Sequence, residues 1–183
     1  MAEHKPAADR QAQIIEAALF AFAEGGFHGT RMDDIARAAN LSKGAVYHHF
    51  ASKEAVFQAV FDRFAERFSE ALAGSDEAPL ERLTSYGTTV LTTLTRDPRL
   101  ALAWAEFFSH PVARDKLADV YRLARADITS VLRDTPGATH ASAVIIAVIE
   151  GLVLQAMVGT EEDVVSVWQS QAPRMLTALL GVC

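Results

Sequence analysis

The sequence predicts an all-α chain with a small three-helix head at its N-terminus and a larger helical body behind it. Three observations predict this. Apolar residues recur at steps of three and four along most of the chain, no stretch alternates apolar and polar long enough for a strand, and glycines and prolines fall mostly between the periodic runs. With 183 residues, half of them hydrophobic, the chain can bury a sizeable core.

The first helix is read from Ile14, Ile15, Ala18, Leu19 and Phe22, which share one face over residues 10–24, and Gly25 and Gly26 are expected to stop it. Residues 1–9 are expected to form a loose arm. Thr30 then precedes a second run, Met32, Ile35, Ala36 and Ala39, with Asp33 placed to form a capping-box-like start. Asn40 stands where a helix end wants a left-handed residue, which Asn tolerates. Ser42 suits the N-cap of a third, short helix to about His49, with Val46 and Phe50 pointing inward.

Ser52 caps a long fourth helix, whose stripe is Phe57, Phe61, Phe64, Phe68 and Leu72. Helices over 79–95, 98–109 and 112–134 follow, Pro79 and Pro98 suiting first turns and Asp97 a cap. After a break at Asp134 to Gly137 come closing helices over 139–159 and 162–180, the first apolar on nearly every side and the second expected to kink near Gln169 because of Pro173. The head is assigned to residues 1–54 and the body to 55–183.

Composition narrows the function. The one cysteine, Cys183, excludes an intrachain disulfide framework and a cysteine metal cluster, which fits a reducing cytoplasm. Residues 1–12 are polar and lack the apolar core of a secretory signal. The apolar run from Ala143 to Gly159 is interrupted by Glu150 and Gln155 and reads as a buried helix, not a membrane span. There is no nucleophile elbow, glycine-rich phosphate loop, H-E-x-x-H or metal-spaced acidic cluster, so no enzyme, cofactor or metal is expected. Adjacent residues do not share a helix face, so His48 and His49 are not a metal pair.

The segment from Thr30 to Glu54, TRMDDIARAANLSKGAVYHHFASKE, closely resembles the DNA-binding signature of tetracycline-repressor (TetR) family regulators. The matching positions are Thr30, Ile35, Ala36, Ala39, Leu41, Ser42, Gly44, Val46, Tyr47, Phe50 and Ser52 to Glu54, and Asn40 replaces the family's usual glycine. The resemblance implies a helix-turn-helix head. In it, Thr30, Tyr47, His48 and Lys53 grip the DNA backbone, Lys43, Gly44 and Ala45 face base edges, Ser42 does both, and Arg31 is a further contact. The residues agree on their own terms: a helix entering the major groove needs short or hydrogen-bonding side chains at its leading end.

The net charge of −6 is unusual for a DNA binder. Residues 1–54 carry six Lys or Arg against seven Asp or Glu, yet Ser42 to Lys53 holds two lysines, two histidines and no acid. Positive charge is concentrated where phosphates would lie.

The resemblance further implies a body that binds a small molecule and releases a double-stranded operator. Tyr86, Trp104, Phe107, Phe108, Tyr121 and Met157 are the candidates to line a pocket for an amphipathic or hydrophobic organic effector. The same residues would also serve as plain core. Glu106 and His110 are either ligand-orienting or solvated, and Glu150 inside the apolar helix needs a partner, a cavity or the rim. The last two helices carry more apolar surface than one body covers, which predicts a homodimer through them that reads a palindromic operator. A helical adaptor that binds other proteins is the alternative.

Overall fold

The computed structural model describes residues 7–73, 77–96, 105, 111–159 and 163–181. Among these there are eight helices and no strand. They are α1 (Ala7–Gly29), α2 (Met32–Ala38), α3 (Lys43–His49), α4 (Lys53–Leu72), α5 (Pro79–Thr95), α6 (Pro111–Val131), α7 (Ala138–Met157) and α8 (Val164–Leu180). Of the helix expected over 98–109 only Ala105 falls among the described residues, and α1 begins at Ala7, within the stretch expected to be a loose arm, because the apolar periodicity leaves its first polar turn unmarked.

α1 breaks at Gly26, whose φ of 67° and ψ of 167° only glycine takes up readily, and one further turn follows it. That break moves the start of α2 by one residue from expectation. The Thr30 hydroxyl is shared between the carbonyls of Gly26 (2.8 Å) and Ala21 (2.9 Å), so it closes α1 instead of capping α2. Arg31 becomes the N-cap, its backbone N–H donating to Asp34 Oδ2 at 2.9 Å. Asp34, not Asp33, therefore supplies the carboxylate, and this hydrogen bond holds its pKa below the ordinary carboxylate value.

The turn after α2 follows expectation. Asn40 has φ 54°, and the Leu41 N–H reaches the Ala36 carbonyl at 2.8 Å while Asn40 N–H reaches Arg37 at 3.0 Å, the Schellman pattern. Ser42 Oγ then accepts from Ala45 N–H at 3.1 Å, and Ser52 Oγ caps α4 through Ala55 N–H at 3.2 Å.

α4 ties the head to the body. Its N-terminal half puts Phe57 against Phe22 and Phe27, with ring centres 5.3 and 4.7 Å apart, and its C-terminal half buries Phe64, Phe68 and Leu72 against the bundle. In the body α5 packs on α4, α7 and α8, and α6 packs on α4 and α7. Trp168 of α8 is fully buried and donates from Nε1 to the Thr84 carbonyl at 2.8 Å. Its indole lies so close to α5 that a Cβ on Gly87 would sit 2.2 Å from Trp168 Cε2, so any side chain there would force the two helices or the ring to shift.

α7 contains an 18-residue stretch with a mean hydropathy of 1.7, long and apolar enough to cross a membrane by length and composition. Its inner face supplies Ala141, Ile145, Ile149 and Val153 to the bundle core. The other side leaves Val144 43%, Leu154 58% and Val158 79% exposed along one stripe. α8 is capped by Asp163, whose carboxylate accepts from Val165 N–H at 3.1 Å, and it continues through Pro173 to Leu180.

Candidate nucleic-acid interface and body cavity

α3 is two turns long, and such a helix is not stable alone. Three local devices hold it: the left-handed Asn40, the Ser42 cap and the buried anchors Val46 and Phe50. With Val46 inward, Ser42, Lys43, Gly44, Tyr47 and His48 are exposed and Ala45 is half-buried. Tyr47 is 45% exposed, a large aromatic with its ring on the surface. A Cβ at Gly44 would meet nothing within 4 Å, so nothing inside the chain requires glycine there.

Lys43 reaches back over the turn to Asp33, with Nζ 2.8 Å from Oδ1, and this hydrogen-bonded partner raises its pKa. Its ammonium also lies 6.0 Å from the Tyr47 ring centre. The carboxylate thus orients Lys43 along the outer face of α3. Sequence reasoning missed Asp33 in this role, because a pair ten residues apart across a turn leaves no periodic signal.

Two other candidates sit differently. Thr30 is 3% exposed, and both its N–H and its hydroxyl are used by α1, so its side chain is a structural clasp in this conformation. Lys53 donates from Nζ to the carbonyls of Phe27 (2.5 Å) and Thr30 (2.9 Å) and lies 4.3 Å from the Phe27 ring centre. It satisfies the orphan carbonyls at the end of α1 and retains one of its three donors. Arg31, the N-cap residue of α2, is exposed. Gln13, which the sequence did not single out, donates from Nε2 to the Ala39 carbonyl at 2.7 Å and fixes α1 to the turn.

In the body, Tyr86 and Tyr121 both line a cavity of about 40 Å³ between α4, α5, α6 and α7. Phe68, Ile149 and Val153 complete its apolar walls, and Glu150 is its one acidic residue. Burial pushes the Glu150 carboxyl up to about 7. Tyr86 is raised above the ordinary phenol value, first by burial and then by the negative charges of Asp127 and Glu150. Met157 packs against the core at the end of α7, outside this lining. Trp104, Phe107 and Phe108, with Glu106 and His110, lie outside the described residues.

The family model described as "Bacterial regulatory proteins, tetR family" matches residues 14–60. The one described as "BetI-type transcriptional repressor, C-terminal" matches residues 79–181, more than half of the chain. The HTH-type transcriptional regulator UidR of Escherichia coli (strain K12) is 41% identical over 66 residues, 34% of this chain and 34% of UidR. The match thus spans about a third of that relative's length. Among solved structures, Salmonella enterica GusR superposes with a TM-score of 0.77 at 22% identity, covering 97% of this chain and 98% of GusR. The regulator FadR from Bacillus subtilis, in complex with stearoyl-CoA, superposes with a TM-score of 0.76 at 23% identity, covering 94% of this chain and 98% of FadR. Those two likenesses concern the fold. With a helix-turn-helix head whose third helix faces outward and family matches over both head and body, this chain belongs to the tetR family of bacterial transcriptional regulators.

Proposed function

We propose that the chain is a non-enzymatic cytoplasmic repressor that binds a palindromic operator as a homodimer and is released by a small amphipathic or hydrophobic organic effector. The observation that carries this reading is the outer face of α3, where Lys43, Gly44, Tyr47 and His48 stand exposed on a helix fixed from behind. Gly44 lets the backbone come close to a phosphate, and Ser42, Tyr47 and His48 offer hydrogen bonds that position the helix in the major groove. Lys43, Gly44 and Ala45 face base edges. Thr30 and Lys53 act by holding the end of α1 against the start of α4, the spare donor of Lys53 remaining for phosphate, and Arg31 lies at the rim.

The exposed stripe Val144, Leu154 and Val158 on α7 supports a twofold partner there, with α8 completing a four-helix interface. Two heads would then sit about 34 to 36 Å apart, one turn of DNA. FadR, which shares the fold, is seen with stearoyl-CoA. Together with the cavity at Tyr86 and Tyr121, this supports an effector site inside the body.

A gel shift with the DNA upstream of the chain's own gene tests the proposal, excess unrelated DNA serving as competitor. The expected result is a discrete shift that survives the competitor and comes from two chains per duplex. A helical adaptor, the reading that the exposed α7 stripe alone would also allow, gives no competitor-resistant shift.

A further inference from the structure

The cavity at Tyr86 has a neighbour. A groove of about 470 Å³ between α4 and α6 has Phe68, Tyr86, Val120 and Ala124 as walls in common with it, so the two lie side by side with these side chains between them. The inner chamber, about 40 Å³, holds a group of roughly two or three non-hydrogen atoms. The groove could hold a tail.

The charged side chains that line the groove and the inner chamber are mostly acidic. Asp62, Glu66 and Asp127 line the groove against a single Lys116, which lies 3.0 Å from Asp62 and is already paired. Glu150 waits at the inner end, and among the described residues it has neither an ion-pair nor a hydrogen-bond partner. Beside it Tyr86 is 5% exposed, and among the described residues nothing hydrogen-bonds its hydroxyl. A half-buried carboxyl without a partner either stays protonated or waits for a cation. An acid-lined mouth with low-dielectric walls concentrates cations and repels anions.

We infer that this site takes an organic cation, a compact ammonium head seated between Glu150, the Tyr86 hydroxyl and the Tyr121 ring, with an apolar tail along the α4/α6 groove. Glu150 supplies the countercharge, Tyr86 accepts a hydrogen bond, and the Phe68 and Tyr121 rings provide faces that attract the cation. Burial, which pushes the free carboxyl up, makes the site selective: a ligand with its own positive charge favours the ionised form, and a neutral or anionic one does not. This assignment rests on the effector-responsive reading above. It separates the site from one for a fatty acyl-CoA, whose phosphates and carboxylates the groove would repel.

The test is calorimetric titration of the full chain with three probes of one shape: 4-phenylbutylammonium, the neutral 4-phenyl-1-butanol and the anionic 4-phenylbutyrate. The expected result is binding of the ammonium at least tenfold tighter than the alcohol, with the butyrate weaker still. Glu150→Gln should bring the ammonium down to the level of the alcohol and leave the alcohol unchanged. Asp127→Asn, at the mouth and away from the core, should weaken the ammonium severalfold, most clearly at low salt. The inference is overturned if the ammonium gives no binding at millimolar concentration, if the alcohol or butyrate binds as tightly, or if both variants keep the wild-type preference. A ligand-free gel shift on the same preparation separates the two readings. Loss of the cation preference with the shift intact refutes the ligand class alone, and loss of the shift refutes the regulator.

Discussion

The head and the body of this chain are organised by interactions of different range. In the head, the conformation that matters is fixed within a few residues: Asn40 turns the chain, Ser42 caps the next helix and Val46 anchors it. In the body, the site depends on contacts between residues far apart, such as Trp168 with Thr84 and the convergence of Phe68, Tyr86, Tyr121 and Glu150 from four helices. The comparison teaches that a DNA-reading element can be written in local chemistry, whereas a ligand site is written in packing. A head of this kind can be joined to many bodies, since its geometry asks little of them beyond a continuous α4.

The difference can be attacked where the body is most dependent on distant contacts. Trp168→Ala should cost about 3 to 5 kcal/mol in urea unfolding, because a fully buried ring and its hydrogen bond to α5 are lost together. Gly87→Ala drives a methyl into the same ring and should cost about 1 to 3 kcal/mol. If both variants unfold like the wild type, α5 and α8 are not the body's central contact.

The head offers a sharper test at one residue. Asn40→Ala should lose about 1 to 2 kcal/mol, the cost of a left-handed backbone for a residue with no local compensation, while Asn40→Gly should match or exceed the wild type. Equal stability of the two variants would show that the turn is held from elsewhere. The same pair measures how local the head is, since neither substitution touches the body.

A smaller effect lies in the pH dependence. Because the Glu150 carboxyl is raised from 4.5 to about 7 in the folded chain, the folded state holds the extra proton between those values. Stability should therefore fall as pH rises from about 4.5 through 7, by about 1 kcal/mol once solvent screening of this half-buried group is allowed for. Glu150→Gln should flatten that slope in thermal melts from pH 5 to 8. An unchanged slope would place the titrating group elsewhere.

Sequence reading was strong where structure is local. The turn at Asn40, both serine caps, the α4 phenylalanine stripe and the apolar α7 all follow from residue type and spacing. It was weaker where one element meets another. Thr30 reads as the cap of α2, but the break at Gly26 brings two carbonyls to its hydroxyl and Arg31 takes the cap. Lys53 reads as a cation for the DNA backbone, and spacing gives no sign that two of its donors go to the end of α1 and that it lies over Phe27. Asp33 and Lys43 meet only once the turn has formed. In the body, aromatic content pointed to Tyr86, Tyr121 and Met157 alike, and only packing separates the two tyrosines in the cavity wall from the methionine outside it. Glu150 stood out in sequence as an acid in an apolar helix, but what surrounds it is a property of four helices at once.

The central claim is that the exposed edge of α3 reads DNA while everything behind it serves to hold it there. Fluorescence anisotropy with the operator, run beside thermal melts of the same samples, tests this in a Lys43→Ala/Tyr47→Ala double variant. The account predicts melting curves that overlay the wild type, because both side chains are exposed, and operator affinity lower by at least about a thousandfold, from two contacts of about 1 to 3 kcal/mol each in both heads of the dimer. Unchanged operator affinity in a variant that melts like the wild type would contradict it.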